Sequence, residues 1–215
     1  MRIAQIDFDG TLIRNNIGIE LMREFSKSPA ETEEALQPVE PDFETGELDS
    51  SFREELLEAK IQRAWELADV YPQLMQNFSA RRGLNFGGLK TIHAFLLELT
   101  YKGYTPVIVS NGLEQYIRAH VSPAYKVIAT PAIWDQPNKC WHTAPNISMK
   151  QTFAFYMPVE LYIGDSDKTD YRASNTITFR GGKSFAPTGS SLALANKGTQ
   201  NFYTYRTFDD ILAKL

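Results

Sequence analysis

Two aspartates lie one residue apart directly after a short apolar run near the N-terminus. Residues 3–6 read IAQI, and Asp7 and Asp9 follow in the sequence DFDGT. Carboxylates at this spacing repel each other, so a bound divalent cation or a reaction at a carboxylate would account for the pair. The apolar run predicts a short buried strand that ends at Asp7. The Gly10 that follows allows the chain to leave strand geometry.

Further polar residues follow two other predicted strands. Ligands bind at the carboxyl ends of the strands in open parallel sheets, so residues from several strand ends can form one site. One group follows the predicted strand at 106–109, another follows the predicted strand at 159–164, and a lysine opens a helix shortly before the latter strand. The first group is Ser110 and Asn111, the second is Gly164, Asp165, Asp167 and Asp170, and the lysine is Lys150.

Together these residues resemble the motifs of the haloacid dehalogenase superfamily of phosphotransferases. The family's DxDx[TV] motif is matched by DFDGT at 7–11, and its strand-end Ser or Thr by Ser110 in VIVSNG. Its basic residue is best matched by Lys150, with Lys139 and Lys168 as alternatives, and its GDx(3–4)D motif by GDSDKTD at 164–170. Within the superfamily the sequence is most similar to the phosphoserine phosphatase group, through DFDGTL, VIVSNG and a hairpin-like stretch at 127–146.

The resemblance implies a mechanism in which Asp7 is the nucleophile and forms an aspartyl-phosphate. Asp9 would protonate the leaving oxygen and then deprotonate a water molecule. The implied cofactor is Mg²⁺, with Asp7, the backbone carbonyl of Asp9 and Asp165 as ligands and Asp170 as a further metal residue. Asp167 is an alternative to Asp170.

The resemblance also implies which residues hold the phosphoryl group. Ser110 and Lys150 would bind its oxygens and stabilise the charge of the transition state. The remaining phosphate-binding residues that the motifs imply are Gly10, Thr11 and Asn111.

The alternation of strands and helices predicts an α/β protein with a Rossmann-like parallel sheet and helices on both faces. We expect an α/β catalytic core at 1–14 and 86–215 and a helical cap domain at 15–85, inserted after the first strand. Near the C-terminus the pattern predicts a helix at about 169–175, a strand at 176–179, a Gly-Ser-rich connection and a strand at 201–205.

Composition limits the partners and the compartment. The net charge is −4, but residues 14–70 hold 15 acidic and 6 basic residues, a balance of −9. An acidic cap disfavours polyanions, so a small phosphorylated metabolite is the expected partner, and neither nucleic acid nor a membrane is expected. The chain has one cysteine, Cys140, and the acidic pair comes too early for a signal peptide, which favours a cytoplasmic protein. The oligomeric state is not predicted.

The sequence therefore predicts a Mg²⁺-dependent phosphatase that hydrolyses a small phosphomonoester. A phosphomutase or phosphotransferase on the same core, or a non-catalytic phosphometabolite-binding protein, remain alternatives. Phosphoserine as substrate also stays open. The glutamate that the phosphoserine phosphatase group carries after its first motif aligns with Asn16, Glu20 lies one helical turn further on, and Arg53 is the nearest match for the cap arginine.

Overall fold

A computed structural model of the protein describes residues 2–14, 89–135, 140–143 and 148–215. The predicted cap at 15–85, with Asn16, Glu20 and Arg53, lies outside these residues, as does Lys139. The strands are β1 (Arg2–Ile6), β2 (Tyr104–Leu113), β3 (Lys126–Thr130), β4 (Ala132–Asp135), β5 (Cys140–Thr143), β6 (Val159–Ile163), β7 (Lys183–Pro187) and β8 (Phe202–Tyr205). The helices are α1 (Leu89–Tyr101), α2 (Glu114–Arg118), α3 (Met149–Tyr156), α4 (Asp167–Phe179), α5 (Ser191–Ala195) and α6 (Phe208–Leu212).

Six strands form one sheet in the order β3-β2-β1-β6-β7-β8, and every pair in it is parallel. The prediction of a Rossmann-like parallel α/β sheet is therefore confirmed. Strands β4 and β5 pair antiparallel as a separate hairpin, as the hairpin-like stretch indicated. None of the described helices has both the length and the apolar character needed to cross a bilayer.

The sheet buries apolar side chains on both faces. Successive residues of a strand point to opposite faces, so Ala4 and Ile6 pack with α1 and α6, while Ile3 packs on the other side with α3, α4 and α5. Gln5 shares the face of Ile3, and its side-chain amide donates a hydrogen bond to the carbonyl of Lys150 (2.9 Å). The strand thus fixes α3 through a polar contact as well as through packing.

The predicted strand at 176–179 is wrong, because α4 continues through Phe179. Ile177 lies four residues after Ala173 and seven after Asp170, on one helical face, and all three side chains are buried. Burial of this face outweighs the β-propensity of the Thr-Ile-Thr run at 176–178. The strand forms instead at β7, inside the stretch predicted as a connection, and α5 follows it.

The strand order places three carboxyl ends side by side. The chain runs outward from β1 through β2 to β3 on one side, and β6 then pairs with β1 on the other side. The order therefore reverses at β1, which is where open α/β sheets form a crevice for ligands. The predicted motif residues lie at the carboxyl ends of β1, β2 and β6, except Lys150, which lies on α3.

Candidate active site

Asp7 extends the pairing of β1 with β6 by one residue. Its backbone N–H donates to the carbonyl of Ile163 (2.9 Å), and the residue is 4% exposed. The carboxylate is held at both oxygens: Oδ1 accepts the N–H of Phe8 (2.8 Å), and Oδ2 lies 2.7 Å from Lys150 Nζ. A buried carboxylate with fixed oxygens at a strand end is suited to act as a nucleophile.

Lys150 bridges two carboxylates from the first turn of α3. Its ammonium lies 2.7 Å from Asp7 Oδ2 and 2.5 Å from Asp170 Oδ1, and the residue is 2% exposed. Burial alone would lower the pKa of Lys150, but the charges of Asp170 and Asp7 raise the pKa above its usual value. The ammonium therefore remains charged at neutral pH. Its rival Lys168 is exposed, so among the described residues the structure favours Lys150.

Asp170 is buried and accepts hydrogen bonds on both oxygens. Besides Lys150, the hydroxyl of Tyr162 donates to Oδ1 (2.8 Å), and the N–H groups of Asp165 and Ser166 donate to Oδ2 (3.0 Å each). Asp167, the alternative that the spacing left open, is exposed. Asp170, and not Asp167, thus lies at the site, where its hydrogen bonds orient Lys150 and the start of α4.

Asp7, Asp165 and Asp170 form an acidic cluster in which Asp7 and Asp170 are buried and Asp165 is half-buried. Each offers one carboxylate oxygen, and these oxygens all lie within 4.8 Å of one another. Burial raises the pKa of Asp7 to about 7 and that of Asp165 to about 8, and repulsion between the carboxylates adds to both shifts. The single positive charge of Lys150 cannot by itself neutralise three carboxylates. Because hard divalent cations prefer carboxylate oxygens, this donor set fits a divalent metal ion.

Gly10 allows the turn after Asp9 to approach Asp165 closely. Its φ is +72°, and a Cβ at this position would lie 2.2 Å from Asp165 Oδ2. The same turn is closed by the N–H of Leu12, which donates to the carbonyl of Phe8 (2.9 Å). Thr11 is buried, with its hydroxyl 3.5 Å from Asp165 Oδ1. The motif glycine is therefore required by the conformation and by the space beside the acidic cluster.

Ser110 and Asn111 lie in an irregular part of β2. The register with β3 shifts between Val109 and Leu113, which leaves residues 110–112 as a bulge at the carboxyl end of the strand. The Ser110 hydroxyl accepts the N–H of Gly112 (3.2 Å), and the Thr130 hydroxyl donates to the carbonyl of Asn111 (2.9 Å). The bulge borders the site, since a Cβ on Gly112 would lie 2.8 Å from Asp9 Oδ2.

Sequence reasoning missed two tyrosines that contact site carboxylates. Tyr162 donates to Asp170, and the hydroxyl of Tyr116 donates to Asp9 Oδ2 (2.8 Å). Tyr162 could have been found, because a tyrosine between two apolar residues of a strand needs an acceptor for its hydroxyl when it is buried, and Asp170 follows close by. Tyr116 carried no such signal, since it lies 107 residues from its partner.

Solved structures resemble the chain over its whole length, whereas no family model and no curated protein matches it. A phospho-aspartyl intermediate analogue of phosphoserine phosphatase is 16% identical, with 100% of this chain and 98% of that chain covered and a TM-score of 0.59. Phosphoserine phosphatase from T. onnurineus is 16% identical, with coverages of 99% and 93% and a TM-score of 0.56. A HAD family hydrolase from Salmonella enterica serovar Typhi is 16% identical, with coverages of 98% and 70% and a TM-score of 0.59.

At these identities the likeness concerns the architecture. It agrees with the six-stranded parallel sheet and its flanking helices. The described core therefore shares its fold with these phosphoserine phosphatases and this HAD family hydrolase.

Proposed function

We propose that the protein is a Mg²⁺-dependent phosphatase that hydrolyses a small phosphomonoester through a phosphoryl group carried on Asp7. The observation that carries the proposal is the buried arrangement of Asp7, Lys150, Asp165 and Asp170. If Asp7 and Asp9 only formed a turn at the end of β1, we would expect their carboxylates to lie in solvent. Here a carboxylate is buried beside a charged lysine and a second carboxylate, at a desolvation cost that folding alone does not explain.

The first half of the reaction forms an oxygen–phosphorus bond at Asp7. A carboxylate oxygen of Asp7 attacks phosphorus, the ester oxygen departs with the bonding pair, and Asp9 gives that oxygen a proton. In the second half, Asp9 removes a proton from water, the water oxygen attacks the same phosphorus, and Asp7 is released as a carboxylate. Asp9 thus ends the cycle protonated, as it began.

Asp7, Asp165 and the backbone carbonyl of Asp9 are the residues that would hold Mg²⁺. The ion supplies positive charge that offsets repulsion between the acids and lets an anionic phosphate approach an anionic nucleophile. Asp170 contributes by fixing the Lys150 ammonium and the N–H groups at the start of α4. We therefore propose that Asp170 orients Lys150 and the start of α4, besides offering a carboxylate oxygen to the acidic cluster.

Lys150 and Ser110 are the proposed donors to the phosphate oxygens. The Lys150 ammonium is fixed against Asp7, so its charge lies where charge develops on the phosphoryl group. The Ser110 hydroxyl accepts a hydrogen bond from Gly112, which leaves its own hydrogen for a phosphate oxygen. The neighbouring Gly10, Thr11 and Asn111 would complete the phosphate-binding residues.

The substrate is proposed to be a small phosphorylated metabolite. The acidic balance of residues 14–70 disfavours nucleic acid and other polyanions, and the single cysteine favours a reducing compartment such as the cytoplasm. Phosphoserine is the first ester to assay, because solved structures with this fold include phosphoserine phosphatases.

The test is hydrolysis of p-nitrophenyl phosphate and of phosphoserine, with and without Mg²⁺, by the wild type and by Asp7→Asn. We expect Mg²⁺-dependent release of inorganic phosphate by the wild type alone. Transfer of the phosphoryl group to an added alcohol, with little free phosphate, would identify a phosphotransferase. Tight binding of phosphate esters without turnover, by folded protein supplied with Mg²⁺, would contradict the enzymatic proposal.

A further inference from the structure

We propose that Tyr116 is the positioning residue for Asp9, holding its carboxylate in the orientation needed for proton transfer. The inference rests on the proposed function, in which Asp9 is the acid and base. Tyr116 lies on α2, and its hydroxyl donates to Asp9 Oδ2 at 2.8 Å. A hydrogen bond to one oxygen fixes the side-chain rotamer, and the rotamer decides which oxygen can exchange a proton with the ester.

The tyrosine itself is held rigidly. It is 0% exposed, its ring packs against Phe8 at 6.3 Å between centroids, and its backbone carbonyl lies 2.8 Å from Nδ1 of His120. Phe8 is the residue between the two motif aspartates. The packing that fixes the Tyr116 ring therefore also fixes the turn that carries Asp7 and Asp9.

Gly112 provides the space in which the tyrosine meets the aspartate. A Cβ at this position would lie 2.2 Å from the Tyr116 hydroxyl oxygen and 2.8 Å from Asp9 Oδ2. Any side chain there would displace the hydroxyl or the carboxylate. Glycine at position 112 is therefore what allows the Tyr116 hydroxyl to reach Asp9.

A merely structural tyrosine would also need an acceptor for its buried hydroxyl, so the test must separate packing from proton transfer. Esters with a weakly basic leaving group depart with little help from an acid, whereas esters with a more basic leaving group require the proton. Comparing kcat/KM on p-nitrophenyl phosphate and on phenyl phosphate therefore reports the acid at Asp9, with two substrates of similar shape.

We expect Tyr116→Phe to lower kcat/KM about 10-fold on phenyl phosphate and less than about 3-fold on p-nitrophenyl phosphate, a fraction of what a general acid contributes. Gly112→Ala, which displaces the same contact without removing the hydroxyl, should show the same selectivity. Tyr162→Phe is the matched control. It removes another buried hydroxyl, from Asp170, and should affect both esters equally.

Asp9→Asn separates failure of this inference from failure of the proposed function. If Asp9→Asn impairs phenyl phosphate selectively but Tyr116→Phe impairs both esters equally, the positioning role is contradicted and the role of Asp9 stands. If Asp9→Asn itself lowers kcat/KM equally on both esters, Asp9 is not the acid. Both its proposed role and the positioning role of Tyr116 are then contradicted. Adding Tyr116→Phe to Asp9→Asn should change neither rate, since the tyrosine acts through the aspartate; a further selective loss would overturn the inference.

Discussion

The two halves of the candidate site are held together by different kinds of contact. The nucleophile half, so called after the role we propose for Asp7, comprises Asp7, Lys150, Asp165 and Asp170. Here buried charges lie 2.5–2.7 Å apart around the Lys150 ammonium. The acid/base half, so called after the role we propose for Asp9, comprises Asp9, Ser110, Gly112 and Tyr116. In this half two neutral donors, the Tyr116 hydroxyl and the Gly112 N–H, donate to Asp9 Oδ2 and to the Ser110 hydroxyl oxygen.

This difference predicts that substitutions affect stability and activity together in the nucleophile half, but mainly activity in the acid/base half. Removing one member of a buried ion pair leaves an uncompensated charge, which is expensive. Removing one neutral hydrogen bond costs far less. We therefore expect substitutions in the nucleophile half to lower both stability and turnover, and substitutions in the acid/base half to lower turnover with small effects on folding.

The largest effect is expected for Lys150→Met. The change keeps much of the side-chain volume but leaves Asp7 and Asp170 buried without their shared counter-ion. We expect the free energy of unfolding to fall by about 3–5 kcal/mol, as for other broken buried ion pairs. Urea unfolding measures it. Lys168→Met, the same change at an exposed lysine of α4, is the control and should lose far less stability, because its ammonium is already in solvent. Equal stabilities of the two variants would contradict the charge-based description of this half.

The second prediction concerns pH and the acidic cluster. The pKa values of Asp7 and Asp165 are raised to about 7 and about 8, above an unfolded-state value of about 4. Without a divalent ion the folded state thus binds more protons than the unfolded state. The stability linked to these protons is complete below about pH 4 and is lost as the pH rises through 7 to 8.

The Asp165→Asn variant should lose less stability than the wild type as the pH rises. Between pH 5 and pH 8, the Tm of the metal-free wild type should fall by about 5 °C more than the Tm of Asp165→Asn. That difference corresponds to about 1–2 kcal/mol in the free energy of unfolding. Mg²⁺ should raise the wild-type Tm more at pH 8 than at pH 5, because it binds the ionised carboxylates. Asp167→Asn, two residues away and exposed, should behave as the wild type. A Mg²⁺ effect independent of pH would contradict this interpretation.

A third prediction uses two glycines with similar backbone conformations. Gly10 has a φ of +72° and Gly103 a φ of +83°, but only a Cβ at Gly10 meets Asp165; at Gly103 nothing lies within 4 Å. Alanine at either position carries the left-handed strain of about 1–2 kcal/mol. We expect Gly103→Ala to lose that amount and to keep its stabilisation by Mg²⁺. Gly10→Ala should lose more stability and also the response to Mg²⁺, measured by thermal unfolding. A normal Mg²⁺ response would contradict the importance of the close approach between Gly10 and Asp165.

The smallest effect on folding is expected for Ser110→Ala. The variant loses an acceptor for the Gly112 N–H, which we expect to cost about 1 kcal/mol or less. Its kcat/KM should nevertheless fall by about 10²-fold, as for loss of a donor to a developing charge. Ser184→Ala removes another buried serine hydroxyl, one that donates to the carbonyl of Ser174 (3.3 Å), and should leave kcat/KM unchanged. Comparable kcat/KM values for the two variants would exclude Ser110 from phosphate binding.

The sequence was most informative where local pattern and function coincide. The apolar run before Asp7 predicted β1, and the motif spacing predicted which residues follow β1, β2 and β6, because strand ends in a parallel sheet converge. Local propensity failed at 176–179, where burial of Ile177 against Ala173 keeps the chain helical. The contacts of Tyr116 and Gly112 with Asp9 depend on tertiary packing between segments about 100 residues apart, which no local pattern encodes.

The most direct test of the account is to look for the phosphoryl group on Asp7. In Asp9→Asn, p-nitrophenyl phosphate should still transfer its phosphoryl group, because its leaving group needs little protonation, whereas hydrolysis of the phosphoenzyme should be slow. We predict a burst of about one p-nitrophenolate per enzyme in the presence of Mg²⁺, and mass spectrometry after an acid quench should find the added phosphoryl group on Asp7. A phosphoryl group on another residue, or steady release with no burst and no phosphoenzyme, would contradict the nucleophilic role of Asp7.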